Sequence, residues 1–254
     1  MTYPGGKNGS GVPQAIINQI PPHEYFIEGF FGGGAITRLK RPAACSIGID
    51  ADAAPITNFD AATVPGLKLV HANFLKWMQD HRPMLMVRHT MLYLDPPYLF
   101  STRKSKRPIY KHEFGTEQQH GELLEAIIPL NCRVAISGYY SDLYAELLRD
   151  WRVVTFTGMT RGGGTATEYL WMNYREPLEL HDYRYLGEGY RQRQDIKRQK
   201  QRWLRNLAAM TPTKRQAMMA AIDEFKTHPL PGLPPKSGER FQGKESRRDA
   251  DTVL

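Results

Sequence analysis

Short apolar runs at residues 24–30, 45–50, 67–71, 91–95, 133–137, 152–156 and 168–173 punctuate the first two thirds of the chain. Each has the length and the aliphatic and aromatic content of a strand. Between several of them lie segments with helical spacing of apolar residues, at 13–20, 74–79, 116–128 and 142–149. Thr116 and Ser141 stand where an N-cap hydroxyl would take up the first free backbone N–H groups. There is no internal repeat. Strands alternating with helices predict an α/β fold, a mostly parallel sheet with helices on both faces.

At 254 residues, 41% of them hydrophobic, the chain can build one substantial domain and carry an appendage. The appendage shows in the charge. Between residues 184 and 215 ten basic residues face two acidic ones, an excess equal to the net +8 of the whole chain. The rest is about neutral, and the basic stretch suits a nucleic acid before a membrane. In helical projection Arg191, Arg198, Arg202 and Arg205 share one side. Ile196, Trp203, Leu204 and Leu207 share another. The expectation is an amphipathic helix docked by its apolar stripe. We therefore divide the chain into a domain over 1–183, a basic helical extension over 184–227, and a disordered tail over 228–254, rich in proline, glycine and charge. No signal peptide and no apolar run of membrane-spanning length is read, so a cytoplasmic location without a membrane partner is expected. Cys45 and Cys132 read as small core residues, and the histidines show no metal-ligand spacing, so no metal is expected.

Two turns carry chemistry. The first run ends in Phe30-Phe31-Gly32-Gly33-Gly34, a strand-to-helix turn whose glycines let backbone approach a ligand. Asp50, at the end of the next run, can accept from ribose hydroxyls, with Asp52 as a competitor and helix capping as the alternative role. Asn73 could read an adenine edge with Phe74 against its ring. The second turn is Asp95-Pro96-Pro97-Tyr98. Two prolines fix φ, remove two N–H donors and leave the carbonyls. The result is an acceptor-rich corner beside a ring. An exocyclic amine is a poor nucleophile, because its lone pair is delocalised. Asp95 and the Pro96 carbonyl can each accept one of its N–H bonds and stabilise the charge that develops as it attacks. Tyr98 can stack on the base, worth about 1–3 kcal/mol.

With Tyr3-Pro4-Gly5-Gly6-Lys7 at the start, these turns in this order resemble the Dam-like (D12 class) DNA adenine-N6 methyltransferases, most of all compact phage and prophage members, some of which serve restriction-modification. Ile136–Tyr140 and Glu168–Tyr174 resemble later strands of that family. The resemblance implies a Rossmann-like seven-stranded methyltransferase sheet. It implies S-adenosylmethionine held by Tyr3, Gly6, Lys7, Phe31, Gly32, Gly34, Asp50, Asn73 and Phe74. It also implies an adenine of DNA flipped out against Tyr98, with Asp95, Pro96 and Pro97 completing the catalytic segment. The chain departs from the family at Asn73, where aspartate is frequent, and in length: residues 35–94 leave no room for a helical recognition domain. Recognition then falls to the loop holding Arg103, Lys104, Lys106, Arg107 and Lys111, with His112 nearby, to the basic helix with Arg191, Arg198 and Arg202, and to the turn at 158–164. Cytosine-N4 methylation, an RNA substrate, or an inactive DNA-binding protein of the same fold stay open.

Overall fold

A computed structural model describes residues 11–103, 110–159 and 164–227. Its strands are β1 (Tyr25–Gly29), β2 (Cys45–Asp50), β3 (Leu67–His71), β4 (Thr90–Leu94), β5 (Arg133–Gly138), β6 (Arg152–Met159) and β7 (Thr165–Met172). They form one sheet in the order β3-β2-β1-β4-β5-β7-β6. The neighbours from β3 to β5 are parallel, and β7 runs antiparallel to both β5 and β6. The sheet is thus the seven-stranded Rossmann-like α/β arrangement expected, with an antiparallel hairpin at one side. The helices are α1 (Val12–Ile17), α2 (Ala35–Leu39), α3 (Ala53–Asn58), α4 (Phe74–Asp80), α5 (Arg82–Leu85), α6 (Glu117–Ile127), α7 (Asp142–Leu147), α8 (Tyr190–Ala209) and α9 (Pro212–Thr227). Thr116 closes a capping box with Gln119, and Ser141 caps α7 through the Tyr144 N–H.

Strand alternation sorts the core into two faces. Ile27, Leu92, Leu94, Val134 and Ile136 pack with Trp77, Leu124, Ile127 and Tyr144 of the helices on one side. Phe26, Met91, Tyr93 and Ala135 pack with Ile16, Ile17 and Ile36 on the other. At about 25 cal/mol per Å² of apolar surface removed from water, these two layers are the main source of stability. Between Gly34 and Asp95 the chain is taken up by α2, β2, α3, β3, α4, α5 and β4. The expectation that no further domain fits there agrees with this.

The chain separates into two compact units, divided after Arg198 within α8. Residues just beyond 183 are fastened to the first unit. Arg184 donates to Asp182 (2.7 Å) and to the Leu39 carbonyl (2.7 Å), and Asn18 donates to the Tyr185 carbonyl (2.7 Å). Tyr190–Ala209 form the helix that the periodicity predicts. The tail over 228–254 lies outside the described residues.

Candidate active site

Parallel register lines up the ends of four strands. Gly29 of β1 pairs with Ile49 of β2 and with Leu94 of β4, and Leu94 pairs with Ile136 of β5. One residue further on, Phe30, Asp50, Asp95 and Ser137 therefore stand in a row along the carboxyl edge. The strand order reverses between β1 and β4 in the middle of this row. In open α/β sheets that switch point is where ligands bind.

On the β1–β2 side the glycine turn is tightly built. Phe30 adopts φ 56°, unusual for a residue with a side chain, and Gly34 has φ 58°. Any side chain at Gly34 would overlap the Phe31 ring, so this position needs glycine. Asp50 closes the turn, accepting the Gly32 N–H (2.7 Å) and the Asp52 N–H (2.8 Å) on its two oxygens. Burial pushes its pKa up, against the pull of these two bonds. The helix-capping role belongs to Asp52, which accepts the Ala54 N–H (3.2 Å) at the start of α3. Glu28, two residues before the turn, is 3% exposed. It accepts from both the backbone N–H (2.9 Å) and the hydroxyl of Thr37 on α2. Burial raises its pKa to about 7.

Three of the residues expected at a ligand have partners within the fold. The Phe31 ring is buried against Phe59 (centroids 5.0 Å apart). Phe74 is 3% exposed and lies in the core between Phe30 and Trp77. Asn73 caps α4, its Oδ1 accepting the Lys76 N–H (3.1 Å). Tyr3, Gly6 and Lys7 lie outside the described residues.

On the β4–β5 side the Asp95–Tyr98 corner is held from all sides. Ser137 donates to Asp95 Oδ1 (2.8 Å), and the Tyr93 hydroxyl lies 3.1 Å from Ser137 Oγ. A hydroxyl has one proton, so with Ser137 giving its own to the carboxylate, Tyr93 is the donor in the second bond. The Pro97 carbonyl receives His120 Nε2 (3.0 Å), shared with the Phe114 carbonyl (2.8 Å). Carbonyls only accept, so Nε2 carries the ring proton and Nδ1 accepts from the Tyr144 hydroxyl (2.8 Å). Burial lowers the His120 pKa to about 4, keeping the ring neutral. The Tyr98 hydroxyl donates to Glu168 Oε2 (2.9 Å), and its ring meets Tyr139 edge-on at 4.6 Å. Burial, then the charges of Asp95 and Glu168, push the Tyr98 pKa well above the usual phenol range.

Of the loop after the corner, Arg103 does not face outward. It is 8% exposed, donates from Nε to the Tyr98 carbonyl, bridges to Glu113 (2.7 Å) and lies over the Phe100 ring. Its charge is matched inside the fold by Glu113, and it holds the Tyr98 carbonyl. Lys111 is exposed and 3.7 Å from Asp52. Lys104, Lys106, Arg107 and residues 160–163 of the glycine turn lie outside the described residues. Arg191, Arg198 and Arg202 are exposed on α8, and Arg198 pairs with Asp195 (3.1 Å).

Sequence reasoning missed Glu28, His120, Ser137 and Glu168 as supports. Ser137 is legible in hindsight from its place near the carboxyl end of β5, level with Asp95. His120 on α6 gives no such signal.

No protein-family model matches this chain, and neither does any curated protein sequence. Several solved structures show a distant likeness to this chain. A precorrin-8w decarboxylase from Methanobacterium thermoautotrophicum is 11% identical over 67% of this chain and 92% of that one, with a TM-score of 0.44. An rRNA methylase from Streptococcus thermophilus is 10% identical over 64% and 94%, at 0.41. The 23S rRNA methyltransferase ErmE is 13% identical over 68% and 70%, at 0.39. Likenesses this distant carry nothing about this chain's substrate. Among the described residues no helix is long and apolar enough to cross a membrane.

Proposed function

We propose that this chain is an S-adenosylmethionine-dependent methyltransferase that methylates N6 of adenine in DNA, of the Dam-like (D12 class) kind. The observation that carries the reading is the Asp95–Tyr98 corner. It is an acceptor pair beside a ring, standing one residue past a strand in register with the glycine turn.

The residues present fit the methyl donor. The turn keeps backbone, not side chain, at the sheet edge, and Asp50 sits beside it. Each Asp50 oxygen accepts one backbone N–H and retains a lone pair for a ribose hydroxyl. Bound there, the donor supplies an electrophilic methyl group. The protein does the rest. Asp95 and the Pro96 carbonyl accept the two N–H bonds of the amine and favour a pyramidal nitrogen as positive charge develops on it. Ser137 fixes the Asp95 carboxylate, so little reorganisation is needed when the base arrives. Tyr98 offers its ring to a flipped base, as enzymes acting on duplex bases require. No protein nucleophile enters this mechanism. Cys132 is buried, with its thiol pushed up to about 12.

DNA is the partner we assign to the basic face of α8, where arginines stand exposed on a helix with six more basic than acidic residues. The test is to incubate the full chain with labelled S-adenosylmethionine and unmethylated DNA or RNA, digest to nucleosides, and identify the product by mass spectrometry. N6-methyladenine from DNA is expected. N4-methylcytosine alone, or label in RNA alone, would overturn the substrate, and full-rate transfer by Asp95→Ala would overturn the mechanism.

A further inference from the structure

The hairpin of β6 and β7 reaches back to the catalytic segment through one side chain. Glu168 on β7 is 8% exposed and accepts the Tyr98 hydroxyl proton at 2.9 Å. Space for this carboxyl group is provided across the hairpin. Gly158 on β6 lies near it, and a Cβ at that position would overlap Glu168 Oε1. Glycine weakens a strand interior, and it recurs where another group must approach closely. A buried carboxyl group is unfavourable unless hydrogen-bonded, and a hydrophobic side chain would pack as well in a purely structural role. The pair therefore does something that packing alone does not require.

What it does follows from the other restraints on Tyr98. Arg103 holds the Tyr98 carbonyl, and the Tyr139 ring meets the Tyr98 ring edge-on. These leave rotation about the side-chain bonds. Fixing the hydroxyl at the far end of the ring removes that freedom. A stacking platform already in place saves the ordering entropy when a base arrives.

We propose that Glu168 is a positioning residue that holds the Tyr98 ring in its base-stacking pose, with Gly158 providing the space it needs. The proposal rests on the base-methylation reading for its consequence, and on the Tyr98–Glu168 contact for its geometry. Glu168 acts through the hydroxyl, so the two residues form one unit.

The experiment is a double-mutant cycle on the full chain, read by single-turnover methyl transfer to DNA. Glu168→Ala and Tyr98→Phe should each slow transfer by roughly tenfold to a hundredfold, the range of a hydrogen bond to a charged acceptor. The double variant should be no slower than the slower single one. Glu168→Gln, which keeps an acceptor oxygen, should recover most of the rate. A general structural role would instead give additive losses and no rescue by glutamine, and that result overturns the proposal, as does unimpaired Glu168→Ala. A second readout does not depend on activity. In protein with isotope-labelled tyrosine, the Tyr98 signals, assigned by their loss in Tyr98→Phe, should show contact with the Tyr139 ring that weakens in Glu168→Ala. If wild-type protein methylates no polynucleotide, the function reading falls, and this readout decides the positioning: an unchanged Tyr98–Tyr139 contact in Glu168→Ala overturns it.

Discussion

Replacing His120 tests how the catalytic corner is held. Its ring is 1% exposed, donates from Nε2 to the Pro97 and Phe114 carbonyls, and accepts from Tyr144. Burial holds its pKa at about 4, against 6.5 for a free histidine. The folded protein stays neutral at this site while the unfolded chain takes up a proton below 6.5. The stabilisation is therefore fully present above 6.5 and is lost as pH falls toward about 4. A gap of this size corresponds to about 3 kcal/mol, a large part of the typical 5–15 kcal/mol of a domain. His120→Gln keeps an N–H donor at similar reach and removes the titration. Urea unfolding of both proteins near neutral and near pH 4 should show wild type losing about 3 kcal/mol more than the variant. His23 and His181, whose pKa values burial lowers to about 2 and about 4, are present in both proteins and cancel in the difference. Methyl transfer by His120→Gln should survive near neutral pH, while His120→Leu, which cannot hold the Pro97 carbonyl, should lose it. Parallel stability curves for wild type and His120→Gln would refute the account of the ring as a buried neutral donor.

Other outcomes follow from the same geometry. Ser137→Ala removes the donor to Asp95 and its bond with the Tyr93 hydroxyl, so single-turnover transfer should slow and urea unfolding should show a loss of about 1–3 kcal/mol. Glu28 is raised from 4.5 to about 7, so the folded state keeps a proton that the unfolded chain gives up. Its contribution is fully present below 4.5 and declines by about 3 kcal/mol as pH rises to 7, and Glu28→Gln should flatten the stability curve over that window. Charge reversal at Arg191, Arg198 and Arg202 should weaken DNA binding and flatten its salt dependence in fluorescence anisotropy. Unchanged affinity at every salt concentration would remove α8 from the interface.

The sheet was legible because strands announce themselves locally. The alternation of apolar runs identified all of β1 to β7 within a few residues, and Thr116 and Ser141 cap as their hydroxyls suggest. The two turns were legible because glycine opens backbone conformations closed to other residues and proline fixes φ, both before any tertiary contact forms. What the chain did not disclose was which side chains turn inward. Arg103 sits in a run of basic residues and reads as a phosphate contact, yet Glu113, ten positions on, captures it. Phe74 reads as a ring for a ligand, yet the core of the sheet claims it. His120 and Glu168 matter only because α6 and β7 are brought against residues 97 and 98, and nothing in their own neighbourhoods records that.

The place of β7 in the sheet has a consequence for how the protein is made. The strand is inserted between β5 and β6, although both precede it in the chain. While the polypeptide emerges from a ribosome, the outer edge of β5, with Val134 and Ile136 beside it, lacks its native neighbour until residues near 172 are synthesised. An unpaired apolar edge is a template for association with other chains. The same late strand delivers Glu168 to Tyr98. A nascent chain would therefore shield its hazardous edge and seat Glu168 against Tyr98 in a single docking event.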